Sequence, residues 1–449
     1  MLRKSKESGA KMSVFLLLAL VAVISAQIIH WSITRQYIFA AIAVVYLVCY
    51  VLDLIMIAGS GEIYLVPSLP VIAVSPVDVE LASYLVVLCW ITFSALVLMG
   101  GRAGVGGQPS AQRSGGGERL SRELPLPRVN LYLALSFAIV AFGVLAIMTA
   151  GVDTALLARQ NVFGASMTSL LAYFSLPLCF VFGFAVFPHA KPIQRLLVVV
   201  VMCAALGTVF LTGSRSSLVL SCLLPASFFL WVRASDRVRG IGKDLLRAIV
   251  VSLVVALPFL IGTFYLSRVR GVSESRSVWQ SVDLSQADVL VALIGSNAER
   301  VPDSYLSALT WFIPRSLWAD KPIPGNAVTS MILTPSRYKI TGAETTAGLL
   351  GEGLIAFGVF GAVTAAVLLY CFARLAKRIS LSPSAYSWLL AAVVLFRGLN
   401  LIRGDLVNTV TPICVAIVFW LLIFYRRSRP TEKSLGDDRM VATGPLTRQ

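Results

Sequence analysis

Apolar residues run unbroken for about 20 positions, the length that crosses a bilayer, and then give way to short polar breaks. Such runs occupy residues 13–29, 37–58, 81–99, 131–150, 168–187, 196–212, 217–232, 248–266, 349–373, 384–403 and 406–425. They are continuous rather than alternating, which predicts helices and argues against a β-barrel. The expected fold is all-α: a polytopic helical membrane protein of about 11–12 transmembrane helices, forming a single integral-membrane domain over residues 1–449. The longest break, 267–348, predicts one large outer loop. It contains "WFIPRSLWADKPIPGN" (311–326), in which prolines, tryptophans and charges are crowded together. A Gly- and Ser-rich segment, 100–130, reads as a flexible cytoplasmic loop. Residues 426–449 read as a disordered cytoplasmic tail.

Composition supports the bilayer and changes the meaning of the charge. Hydrophobic residues make up 57% of the chain and charged residues 13%, against about 25% charge in soluble domains. The net charge of +16 would suggest nucleic acid in a soluble protein. Here basic clusters at 102–128, Lys191/Arg195, 233–247, Arg374/Lys377/Arg378 and beyond Arg426 follow every second span, as cytoplasmic loops do. No nucleic-acid partner is expected. The first residues resemble a signal peptide, but "ISAQ" is a poor cleavage site and the apolar run reads as a retained first helix. Eleven spans counted back from a cytoplasmic tail place the N-terminus outside, whereas Arg3, Lys4, Lys6 and Lys11 favour the inside. An additional crossing by "IYLVPSLPVIAVSPV" (63–77) would reconcile the two, giving twelve.

Charge placement explains the loops but not a second group of cations on the outer side, which includes Arg215, Arg315, Lys321, Arg397 and Arg403. An anionic ligand is the simplest reason for them. Arg397 lies about 14 residues into its span, roughly 20 Å deep at 1.5 Å per residue. An arginine there costs about 2.5 kcal/mol or more and usually faces a cavity or partner. The bland alternative is a helix-pinning Arg397, with Arg403 and Asp405 as an ordinary ion pair. "LTGSRSSL" (211–218) reads as a tight hairpin whose second helix opens with serines beside Arg215, an anion-friendly helix start. In the outer loop, Trp318 suits either a membrane interface or a sugar face, and Asp320 and Lys321 stand beside it. Glu352 in "TTAGLLGEGLIAFGVFGA" (345–362) reads either as an acid/base group or as a charge complementing a helix dipole. The glycines around it permit close helix packing.

The absent motifs narrow the chemistry. No phosphate-binding P-loop, HExxH, paired-Cys metal site or GxSxG elbow occurs. The seven cysteines all fall inside spans, and only His30 and His189 could offer imidazole. Neither a metal nor another cofactor is expected. Outer-side chemistry without ATP requires a substrate that arrives activated, and a lipid-linked pyrophosphate sugar meets that need. One arginine near 4 Å from a phosphate is worth about 4 kcal/mol at an effective dielectric of 20.

"FLTGSRSSL", "FIPRSLWADKP", "GLLGEGLIAFGVFG" and "RGD", in this order, resemble the oligosaccharide repeat-unit polymerases, the O-antigen polymerase family of bacterial inner membranes. The resemblance covers about residues 130–425, and the Pro-Arg…Trp…Asp-Lys-Pro block is its most specific part. It implies a metal-independent membrane glycosyltransferase acting at the periplasmic face. The growing glycan would pass from undecaprenyl pyrophosphate onto the next lipid-linked unit, in O-antigen, capsule or exopolysaccharide synthesis. It further implies that Arg215, Arg315, Arg397 and Arg403 bind pyrophosphate, with Trp318 and Lys321 assisting. Glu352, then Asp320, are the implied bases; Ala356 replaces the usual Asn of the family's pattern after this Glu. Partners would be the lipid-linked oligosaccharide and membrane lipids, with a chain-length regulator as a candidate. Two rivals remain. An O-antigen ligase characteristically carries an outer-loop His, absent from 267–348. A flippase for lipid-linked sugar expects midplane charges and internal symmetry.

Overall fold

The computed structural model describes residues 2–33, 36–65, 71–105, 127–157, 162, 167–212, 214, 217–235, 286–296, 300–313, 317–342, 344–381 and 386–424. The expected span at 248–266, most of the 100–130 loop, the tail, and both Arg215 and Arg315 lie outside these residues.

Within them the chain is a helical bundle, because in hydrocarbon every backbone polar group must be satisfied within the segment. Helix α1 is Leu2–Ile33, α2 Tyr37–Tyr46 and α3 Asp53–Ser60, the last two joined through a π-helical turn, Leu47–Leu52. A two-stranded hairpin follows, β1 (Glu62–Ile63) pairing antiparallel with β2 (Ile72–Ala73). Then come α4 (Pro76–Val105), α5 (Val129–Ala150), short α6 (Val152–Leu157), α7 (Met167–Val186) and α8 (Pro192–Leu211). A second π-helical segment, Ser217–Leu223, leads into α9 (Leu224–Ser235). The chain closes with α14 (Gly348–Phe357), α15 (Gly361–Ser380), α16 (Ser387–Arg403) and α17 (Leu406–Phe424). Among the described residues, eight helical stretches are long and apolar enough to cross a membrane. Two of these stretches are composite: α2 with α3, and α14 with α15.

The hairpin corrects the twelfth crossing. Residues 63–77, at 1.5 Å per residue, would span only about 22 Å as a helix, short of the roughly 30 Å of hydrocarbon. Proline also removes backbone donors there. The segment instead turns back through β1 and β2, so α3 ends and α4 begins at the same end of the bundle. Ser13, where the apolar part of α1 begins, lines a small cavity with Gly61 and Pro76, so that part of α1 begins at the same end.

The described part of the 267–348 loop folds at this end into short helices: α10 (Gln286–Gly295), α11 (Leu306–Thr310), α12 (Gly325–Leu333) and α13 (Pro335–Thr341). α10 is apolar and almost wholly buried. Ten residues are too few to cross a membrane and suit a helix tucked into the bundle from one side. Asp53 holds its start, Oδ2 accepting the Ala287 N–H at 2.9 Å.

The most enclosed long helix is α16, buried around most of its circumference, as expected for a helix apolar on every side. α15 packs on α16 and on α4, and its buried face carries Ala362, Ala365, Ala366, Leu369, Ala373 and Ala376, a small-residue stripe that allows close approach. At the α14–α15 bend the backbones of Gly353 and Gly361 touch. A Cβ at Gly361 would overlap the Gly353 carbonyl and sit 2.7 Å from the Leu354 nitrogen. Gly361→Ala is expected to cost about 1–3 kcal/mol by overpacking, read as a lowered melting temperature in detergent and reduced membrane abundance.

Candidate functional site

Two buried polar clusters lie at the end of the bundle that carries the short helices. The first forms where α17 begins. Asp405 precedes that helix and accepts the Asn408 N–H on Oδ1 at 2.8 Å. Glu352, from α14, accepts the Leu406 N–H on Oε2, also at 2.8 Å. Two carboxylates thus meet the exposed amides of a helix N-terminus, where its dipole favours negative charge. Both residues are fully buried, and Glu352 Oε1 and Asp405 Oδ2 have no hydrogen-bond partner among the described residues. Burial pushes the Asp405 carboxyl above the ordinary carboxylate range, opposed by the N–H groups of Asn408 and Asn326.

The start of α12 closes over this pair. A Cβ at Gly325 would lie 2.7 Å from Glu352 Cγ and Oε1, so only glycine lets the helix approach so closely. Asn326 Oδ1 accepts the Ala347 N–H at 2.8 Å and ties α12 to the entry of α14. From the opposite side Tyr50, in the first π-helical turn, donates to the Ile402 carbonyl at 2.9 Å and receives the Leu350 N–H at 3.2 Å. Gly348, at φ +64°, leaves room for the Tyr50 hydroxyl.

Arg397 organises the second cluster. It is 4% exposed, and among the described residues Tyr173 and Cys222 lie close enough to interact with it electrostatically. Among the described residues no carboxylate pairs with it. The Tyr173 hydroxyl shares a hydrogen bond with Ser217 Oγ at 2.8 Å, and Ser214 Oγ donates to Ser217 Oγ at 2.9 Å. Ser214 and Ser217, from the "LTGSRSSL" stretch, are thus brought to the neighbourhood of Arg397 through Tyr173, with Ser217 opening the second π-helical segment. Such turns re-aim side chains and recur at functional sites; Tyr50 and Ser217 each sit in one. Arg397 and Asp405 are eight residues apart on one helix and its cap, about 12 Å of rise.

The other expected site residues are dispersed. Arg403 is half-buried in the last turn of α16. Trp318 and Asp320 are exposed, in the turn that closes when the Lys321 N–H bonds the Trp318 carbonyl. Lys321 Nζ donates to the carbonyls of Trp311 at 3.0 Å and Ile313 at 2.8 Å, so it clamps its own loop. The tip of "WFIPRSLWADKPIPGN" is thus a surface turn, and its end, Gly325–Asn326, reaches the buried carboxylates. Sequence reading missed Gly325, Asn326, Tyr50 and Tyr173. Only the glycine beside the proline-rich loop carried a signal, as a point of close backbone approach.

Chemically, one cluster offers a buried cation with hydroxyls and the other offers carboxylate oxygens without partners. Comparison of the chain with family models, with curated proteins and with solved structures finds no match.

Proposed function

We propose that this chain is a membrane glycosyltransferase that polymerises oligosaccharide repeat units carried on undecaprenyl pyrophosphate, at the periplasmic face of a bacterial inner membrane. The observation that carries the reading is Arg397: a guanidinium buried in the central helix near the Tyr173 hydroxyl, with no carboxylate among the described residues to neutralise it. Holding an uncompensated cation there is costly, and a pyrophosphate supplies the missing negative charge.

In the proposed step an acceptor sugar hydroxyl attacks the anomeric carbon of the donor glycan. The new glycosidic C–O bond forms as the bond to the carrier pyrophosphate breaks, and the electron pair leaves with the pyrophosphate. Arg397 stabilises that departing charge. Glu352, through the oxygen that has no partner, takes the proton of the attacking hydroxyl.

Surface glycan from a deletion strain tests the reading. Single repeat units on the core support a polymerase. Lipid-linked polymer with none on the core would indicate a ligase. Carrier trapped on the cytoplasmic face would indicate a flippase.

A further inference from the structure

A cavity of about 450 Å³ opens between α5 and α7. It falls in the roughly 300–1,000 Å³ range of small-molecule sites. Phe142, Leu145, Ala146 and Ala150 supply apolar walls, with Thr149 and Ser169 as polar points. Phe142 and Leu145 are exposed on the outside of the bundle, so the cavity is a cleft on the bilayer-facing side. Its inner wall is informative: Ala146, Ala150 and Tyr173 all pack against one small cluster, Ile147, Ala155 and Val162, and Val162, with Ala146 and Ala150, lines the cleft.

Tyr173 therefore packs against the cluster that backs the cleft, while its hydroxyl bonds Ser217 on the Arg397 side. Pro177, one turn further along α7, cannot supply the helical N–H to the Tyr173 carbonyl, which loosens the helix at this level. Depth agrees as well. Tyr173 lies six residues into α7 and Arg397 six residues before the end of α16, each about 9 Å from the same end of the bundle.

We infer that the α5–α7 cleft seats the hydrocarbon chain of a polyprenyl pyrophosphate whose head group is held at Arg397, with Tyr173 as the wall dividing chain from head. The inference rests on the function proposed above and assigns the place of the lipid. An ordinary bilayer phospholipid could also lay an acyl chain in such a cleft. The adjacency to a buried cation that no described carboxylate neutralises selects instead a lipid with a compact, multiply charged head and no need for a zwitterionic partner.

The test uses the full-length protein in phosphatidylcholine nanodiscs, titrated with undecaprenyl pyrophosphate and, separately, with inorganic pyrophosphate. Ala146→Phe and Thr149→Phe fill the cleft from α5 at two different levels; either suffices if the other does not fold. Filling the cleft is expected to weaken undecaprenyl pyrophosphate binding tenfold or more, equivalent to about 1.4 kcal/mol, and to leave inorganic pyrophosphate binding within twofold. Unchanged affinity for undecaprenyl pyrophosphate in a folded cleft variant overturns the assignment. Equal weakening of both ligands also overturns it, because the cleft would then shape the head-group site rather than hold the chain. The function reading fails separately, if Arg397→Met binds both ligands as the wild type does.

Discussion

Arg397→Met is expected to abolish polymer while leaving the melting temperature in detergent unchanged or raised. The two halves of this expectation have one cause. Arg397 sits in the central helix, 4% exposed, with no carboxylate paired to it among the described residues. Burying a cation costs several kcal/mol, and replacing buried charge by an apolar side chain of similar volume is often neutral or stabilising by about 1–4 kcal/mol. Methionine is flexible enough to fill the space. A helix-pinning role gives the opposite pattern, in which removing the arginine lowers stability and activity falls only as folded protein is lost. Arg397→Lys separates the electrostatic contribution from the geometric one. It keeps the charge but loses the planar fork that grips two phosphate oxygens, so polymer is expected to be much reduced. Normal polymer length in the Lys variant would argue against a bidentate grip.

Glu352→Gln is expected to slow polymerisation by about 10²–10⁴-fold, the usual contribution of a positioned general base, with folded protein at wild-type abundance. The amide is isosteric, and its carbonyl can still accept the Leu406 N–H that Glu352 Oε2 accepts at 2.8 Å. The amide nitrogen would then replace Oε1, which has no partner. Only the capacity to take a proton is lost. Glu352→Ala is less informative, since it orphans the Leu406 N–H in the buried interior and destabilises the start of α17. Rates from purified protein, normalised to the monodisperse fraction, provide the measurement. Wild-type rates in Glu352→Gln would leave this residue a capping role alone.

The spans were legible because a bilayer imposes a strong, local constraint on composition. Eight of the expected spans coincide with helical stretches long and apolar enough to cross a membrane; those expected at 217–232 and 384–403 fall on shorter helical segments. The failures have physical causes. The 63–77 segment was apolar enough to suggest a crossing, yet its length and prolines favour a β turn-back, as the pairing of Glu62 with Ala73 and Ile63 with Ile72 shows. α10 escaped notice because a ten-residue apolar helix has no signature distinct from a loop beside a membrane.

The candidate site was legible only where chemistry was expensive. Arg397 stood out because a charge in a span is costly, and Glu352 because it was acidic in a Gly-rich helix start. Its capping target was not readable: it serves the N-terminus of α17, more than fifty residues away, rather than its own helix. Tyr50 and Tyr173 were invisible because a tyrosine in a span is ordinary until its hydroxyl finds a partner. The loop block around Trp318, Asp320 and Lys321 drew attention by composition, but its charges serve a surface turn.

The most direct test of the account is transfer by the purified protein, supplied with a synthetic undecaprenyl-pyrophosphate-linked repeat unit and no nucleotide. The wild type is expected to produce a ladder of lipid-linked multimers, and Arg397→Met only the starting single unit. A ladder of equal length from Arg397→Met, or starting material alone from folded wild-type protein, would contradict it.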